Sequence, residues 1–493
     1  MKQMKRLLAL ALVLVLTLSL SVTAFAAQET YTITAPAGSH KYEVYQIFTG
    51  DYYLDAQKGA VLSNVKWGAN GTGTAGAEVD DATLDALEAL KDAASDREKL
   101  NEIEQYADLT GTPAATVTDG GTAEVVPGYY LIKDEAGSVT GNDAYTLYIV
   151  KVVGDVTIAA KSDLPEVEKK VKDTNDTTGV TSDWQDSADY DIGDTMSFKL
   201  TATLPDDYAD YKTYSLTFTD TFENMEQVTV GKVYLTNGNG MELGVFTAND
   251  YAKADTADGF TVTFADLKTS GLKDAIGNSD KVVVEYTAVL ADTAALGQAG
   301  NDNKVKLTYT NDPNYDGTGT PTTGETPEDK VVVFTYKLTA NKVDEEQNAL
   351  EGAGFTLYKQ AADGAWAAVG DELTGAAMTT FEWKGLDDGT YKLVETTTPR
   401  GYNTMKDIVF VLTATHDIEK AEPQLTELKA DDFTGSVVDG AAGTITADIE
   451  NKAGAVLPST GGMGTTLFYT LGGALVLAAV VLLITKKRMQ DGE

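Results

Sequence analysis

Several polar side chains stand where strand alternation calls for apolar ones. Residues two apart in a strand share a face. Towards the chain's end Ile445, Ala447 and Ile449 point one way, and Asn451 falls on the same side. Leu338 and Ala340 share their face with Lys342, and Tyr391 and Leu393 share theirs with Glu395. An amine, a carboxamide and a carboxyl are thus expected to meet in an apolar interior. Burial disfavours charge, lowering the pKa of a lysine and raising that of an acid. A neutral amine is a nucleophile, and a protonated carboxyl can hydrogen-bond the Asn oxygen and pass its proton to departing ammonia. The expected product is a Lys342 to Asn451 isopeptide bond, with Glu395 catalysing that single turnover.

The pattern recurs upstream. Val167, Lys169 and Val171 share a face, as do Leu216, Phe218, Asp220 and Phe222, and as do Val305, Leu307, Tyr309 and Asn311. Lys169, Asp220 and Asn311 are therefore expected to form a second triad, with Asp220 as its acid. Lys170 and Lys172 lie on the opposite face unless a bulge reverses the parity, and Asp194 and Glu285 are rival acids. A single such lysine is ordinarily one half of a buried ion pair, because Lys is almost never fully buried alone. Three members on apolar faces of first, middle and last strands, found twice, favour the chemistry. By analogy with disulfide loop entropy, a bond closing such a long loop stabilises by about 5 kcal/mol. It would also carry tension past the sheet.

The elements that must hold these groups are strands, and the fold class read from them is all-β: tandem immunoglobulin-like β-sandwich domains. A first domain, 27–162, has strand-like runs at Tyr31 to Thr34, Tyr42 to Phe48, Tyr129 to Lys133, Tyr145 to Val153 and Val156 to Ala159. Between them sits a helical insert, capped by Asp80 or Asp81 ahead of Leu84, Leu87 and Leu90, and by a Ser95/Glu98 capping box ahead of Leu100 and Ile103. Pro165 marks a boundary. The middle domain, 163–329, alternates at Met196 to Leu204, Tyr214 to Phe222, Phe260 to Phe264, Val282 to Leu290 and Val305 to Tyr309, and its end, Asp312 to Asp329, reads as a linker. The third, 330–453, has strands at Phe334 to Lys342, Phe355 to Lys359, Tyr391 to Glu395, Ile408 to Leu412 and Thr444 to Ile449.

Both ends of the chain carry export features. Lys2, Lys5 and Arg6, an apolar run from Leu7 to Leu20 and Ala24-Phe25-Ala26 predict a secretory signal peptide over 1–26. In the last segment, 454–493, Leu457-Pro458-Ser459-Thr460-Gly461 precedes an apolar run from Leu467 to Ile484 and then Lys486-Lys487-Arg488. That run is long enough to cross a bilayer as a helix, and the basic residues favour the cytoplasmic side. With no cysteine in an exported chain, disulfides cannot staple it. The 75 Asp and Glu against 38 Lys and Arg disfavour nucleic-acid binding. His40 and His416 stand far apart in sequence without Cys or clustered carboxylates beside them, so no metal site, cofactor or Ser/His/Asp arrangement is expected.

The ordered LPxTG, apolar span and basic tail resemble the cell-wall sorting signal of Gram-positive bacteria. In that family a sortase cleaves between the residues matching Thr460 and Gly461 and passes the Thr acyl group to an amine. Asn341-Lys342-Val343-Asp344, Leu350 to Tyr358, Glu395 to Tyr402 and Ile449-Glu450-Asn451 resemble the collagen-adhesin B-type domain, in which the residues matching Lys342 and Asn451 are joined and that matching Glu395 catalyses the joining. The middle domain is similar to that of sortase-assembled shaft pilins. Lys161 is placed like the lysine of the pilin motif, although Ala159-Ala160-Lys161-Ser162 lacks its Tyr-Pro and its Asn; Lys151 and Lys58 are alternative acceptors. The resemblance implies the major backbone pilin of a surface fimbria, not an enzyme. A class C sortase would join Thr460 to Lys161 of the next copy, and a housekeeping sortase would attach the base to peptidoglycan. Minor pilins and a host or bacterial surface ligand would be further partners. The rival readings are a monomeric wall-anchored adhesin and a tip or basal minor pilin; a hydrolase is more distant, since no exposed catalytic constellation stands out.

Overall fold

A computed structural model describes residues 29–455 and 464–490, apart from 38–39, 56–58, 91–95, 136, 140–144, 159–163, 314, 316 and 318–321. The expected signal peptide and Ser95 lie outside the described residues. The described chain before the final helix is built mainly of antiparallel strands, arranged as three successive units.

In the first unit, Gly59–Trp67, Lys41–Asp55, Gly128–Asp134 and Leu147–Val152 form one sheet in that order, and Thr122–Val125, Tyr31–Thr34 and Val156–Thr157 form a smaller one. The helical insert is Asp81–Ala89 and Asp96–Glu104. Asp80 is the cap of the first helix, its carboxylate accepting from the Thr83 amide at 2.9 Å. Leu87, Leu90, Leu100 and Ile103 recur at helical spacing and pack on Ile47, Phe48 and Trp67.

The middle unit is two facing sheets. One runs Glu242–Val245, Met225–Thr236, Lys281–Leu290, Thr195–Thr203, Glu166–Val171; the other runs Ser187–Asp189, Asp329–Phe334, Asn301–Thr310, Leu216–Phe222, Gly259–Phe264, Ala252–Asp255. The third unit sets Thr380–Leu386, Tyr336–Val343, Thr444–Glu450 and Val437–Asp439 against a sheet that includes Gly354–Gln360, Gly389–Thr397, Ile408–His416 and Leu425–Asp431.

The sequence reading began a third-domain strand at Phe334, and the structure corrects it. Asp329–Phe334 belongs to the middle unit's sheet, antiparallel to Asn301–Thr310 and parallel to Ser187–Asp189, and the next strand starts at Tyr336. Val331 and Val333 point into the middle core while Val332 and Phe334 point into the third. A strand buried on both faces reads as a continuous apolar run, and alternation gives no boundary there. The stretch expected as linker also contributes a strand, Thr323–Glu325, to the same sheet.

After the third unit, Gly464–Gln490 is a single helix, whose segment Thr466–Met489 has mean hydropathy 2.5 and is long and apolar enough to cross a membrane.

Two buried amine, acid and amide clusters

In the third unit, Tyr336–Val343 and Thr444–Glu450 run parallel with Lys342 opposite Ile449. The shared direction brings the ends of the first and last strands together, and the Asn451 amide donates to the Val343 carbonyl at 3.1 Å. Glu395 reaches in from Gly389–Thr397 of the facing sheet. Lys342, Asn451 and Glu395 are 0%, 1% and 5% exposed. Asn451 Nδ2 donates to Glu395 Oε1 at 2.7 Å, and Glu395 Oε2 accepts from the Met405 amide at 2.8 Å. Lys342 Nζ donates to the carbonyls of Ile449, at 2.7 Å, and Val343, at 3.0 Å. Burial pulls the Lys342 ammonium down to about 8, against the opposing pull of Glu395. The side-chain carbonyl of Asn451 is buried without a donor. An amine whose hold on its proton is weakened by burial thus lies beside a carboxamide whose nitrogen is already bonded to an acid.

In the middle unit Lys169, on Glu166–Val171, crosses from one sheet to Asp220, on Leu216–Phe222 of the other. Both are fully buried, and Lys169 Nζ donates to Asp220 Oδ2. Desolvation sets the direction on each side: the ammonium falls to about 8 and the carboxyl rises to about 6, although each partner opposes the other's shift.

The structure does not bring Asn311 to this pair. Asp220 lies opposite Val305, so Asn311 is six residues farther along, roughly 20 Å at about 3.3 Å per residue. Asn303 is there instead, opposite Phe222 and 0% exposed. Its Nδ2 donates to Tyr286 Oη at 2.8 Å, and Tyr286 Oη donates to the Asp220 carboxylate at 3.2 and 3.3 Å. Lys169 Nζ also reaches the Lys304 carbonyl, next to Asn303, at 3.4 Å. As in the other cluster, the asparagine side-chain carbonyl is buried without a donor. Asn303 and Asn311 share one strand parity, so the face pattern could not separate them. A usable signal was the position of each along the strand relative to Asp220.

The rivals fall elsewhere. Lys170 Nζ pairs with Asp186 at 2.6 Å, and Lys172 Nζ lies 5.0 Å from the Trp184 ring centroid. Glu285 accepts from Tyr234 Oη at 2.8 Å, and Asp194 sits by Asp191, Asp176 and Lys359. Two groups were illegible in sequence. Lys359 is buried between Asp176, Asp191 and Asp387, and these carboxylates hold its ammonium well above the ordinary lysine range despite desolvation. His416, which looked isolated, has Nε2 at 3.4 Å from Asp173 and 3.5 Å from Asp189, and these raise it to about 9.

Leu457 to Gly461, Lys161 and Lys58 lie outside the described residues. Lys151 is half-buried in Leu147–Val152, opposite Tyr129, and burial lowers its pKa.

Residues 449–491 match the LPXTG cell wall anchor motif, and 336–427 match the SpaA prealbumin-like fold domain, a match that opens at Tyr336, where the third unit's first strand begins. These make the chain a cell-wall-anchored surface protein. It is 25% identical over 398 residues to the trypsin-resistant surface T6 protein of Streptococcus pyogenes serotype M6, spanning 67% of this chain and 70% of that protein. The solved structure of the T6 backbone pilin of S. pyogenes superposes with a TM-score of 0.52 at 18% identity, covering 88% of this chain and all of the other, and shows the same fold. The chain thus shares its anchor and its SpaA domain with those families, part of its sequence with the T6 surface protein, and its fold with the T6 backbone pilin.

Proposed function

We propose that the protein is the structural backbone subunit of a pilus in which a class C sortase joins Thr460 of one copy to Lys161 of the next, and that its domains are closed by Lys342–Asn451 and Lys169–Asn303 bonds. A housekeeping sortase would then fix the finished shaft to peptidoglycan. The observation that carries this reading is the pair of buried lysine, acid and asparagine clusters in a chain that ends in a sorting anchor. Glu395 and Asp220 are the acids of the two self-limited reactions. The domain limits in this reading are 27–162, 163–335 and 336–453, with the shared strand given to the middle one.

Two measurements test it. The mature chain secreted by a sortase-deficient host is expected to weigh two ammonias less than its sequence; the unmodified mass would sink the isopeptide assignment. In a denaturing gel of wall extracts from the native host, wild type is expected to give a ladder of very large species that collapses to monomer in Lys161→Ala. A surviving ladder would move the acceptor to another lysine, and a single wall-linked band in wild type would instead support the monomeric adhesin.

A further inference from the structure

The two clusters differ in how the acid reaches the amide, and the difference assigns a part to a residue outside both triads. In the third unit Glu395 takes the hydrogen bond of Asn451 Nδ2 directly, at 2.7 Å. In the middle unit the acid is aspartate, one methylene shorter, and Asn303 Nδ2 bonds to Tyr286 Oη, which in turn bonds to both Asp220 oxygens. We propose that Tyr286 is the positioning and proton-relaying residue of the Lys169–Asn303 reaction, its hydroxyl filling the gap that the shorter acid leaves. This rests on the isopeptide reading of the middle cluster.

Tyr286 is built for such a place. It is 2% exposed on Lys281–Leu290, next to the strand that carries Phe198. Its ring stacks on Phe198 at 5.0 Å between centroids and meets Phe260 edge-on at 4.9 Å, which fixes the hydroxyl between the two sheets. A buried hydroxyl donating to one group and accepting from another holds both at a set distance.

The step balances as follows. The Lys169 ammonium gives a proton to Asp220, and the freed Nζ lone pair attacks Asn303 Cγ. The Nζ–Cγ bond forms and the Cγ–Nδ2 bond breaks. Nζ keeps one hydrogen and its other two pass through Asp220 and the Tyr286 hydroxyl to Nδ2, which leaves as ammonium; Asp220 and Tyr286 end as they began. During transfer the chain of hydrogen bonds reverses, Asp220 donating to Tyr286 and Tyr286 to Nδ2.

The test is Tyr286→Phe in the mature secreted chain, which keeps the ring and removes only the hydroxyl. Intact mass and peptide mapping are expected to show the Lys342–Asn451 link intact and the Lys169–Asn303 link missing or formed at least tenfold more slowly. A role in packing alone would not predict rescue, whereas Tyr286→Phe combined with Asp220→Glu lets a longer acid reach the amide directly and is expected to restore the link. Wild-type linkage speed in Tyr286→Phe, or no rescue in the double variant, would overturn the relay. Absence of a Lys169–Asn303 peptide in wild type would instead sink the underlying isopeptide reading.

Discussion

Lys169, Lys342 and Lys359 are all buried, yet their surroundings set them to different tasks. Lys359 faces three carboxylates and holds its proton more tightly than in water. Lys169 faces one, Asp220, and desolvation brings the two to about 8 and about 6. Desolvation thus makes moving a proton from that ammonium to that carboxylate easier than for the same pair in water. Lys359 is therefore a locked cation, whereas Lys169 gives up its proton more readily, as the nucleophilic role proposed for it requires. Asn303 is the proposed acceptor because, of the two candidate asparagines, it is the one beside the pair. In Asn303→Ala the mass deficit of the mature chain is expected to fall from two ammonias to one, while Asn311→Ala should keep both. The reverse outcome would return the assignment to Asn311.

At the scale of elements, Asp329–Phe334 serves two cores at once, Val331 and Val333 on one side and Val332 and Phe334 on the other. Truncating a fully buried phenylalanine costs about 3–5 kcal/mol. Phe334→Ala is thus expected to lower the calorimetric transitions of both the middle and the third unit, whereas Val409→Ala, at a 47% exposed site, should move neither. A shift confined to the third unit would show that the strand does not couple them. Much of this architecture was legible. Period-two runs located most strands, spacing of three and four found the helical insert, and the third-unit triad followed from parity alone. Three things were not. Parity states which face a residue occupies but not how far along the strand it sits, so Asn303 and Asn311 looked alike. A strand buried on both faces has no alternation to mark its end, so Asp329–Phe334 was divided between a linker and the next domain. The lysine and histidine networks were hidden because, Asp387 apart, their carboxylate partners come from residues more than a hundred positions away, such as Asp191 for Lys359 and Asp189 for His416.

At the scale of the whole molecule, bonds at Lys169–Asn303 and Lys342–Asn451 would leave the stretch from Asn303 to Lys342 to bear tension through its own packing, and the junction of the middle and third units lies along it. That junction is crowded with acid. Asp387 and Asp388 amides donate to Asp191 and Asp189 at 2.9 Å each, and Asn175 Nδ2 donates to Asp388 at 2.6 Å. Across it Asp173, Asp176, Asp189, Asp191, Asp194, Asp387 and Asp388 face two cations, Lys359 and His416. Burial and mutual repulsion raise Asp194 and Asp388 to about 6, so the fold prefers them protonated and loses stability as they ionise between about 4 and 6. His416 is raised from 6.5 to about 9, so its contribution is full below about 6.5 and is lost as pH climbs through 9. Both effects have the same sign: the junction weakens as pH rises. The melting temperature of the mature chain is expected to fall by several degrees between pH 6 and pH 9.5, and His416→Gln should flatten the part of that decline above about pH 6.5. A wild-type profile that is level or rising over this range would remove the charge network from the account of how the two domains stay rigid under load.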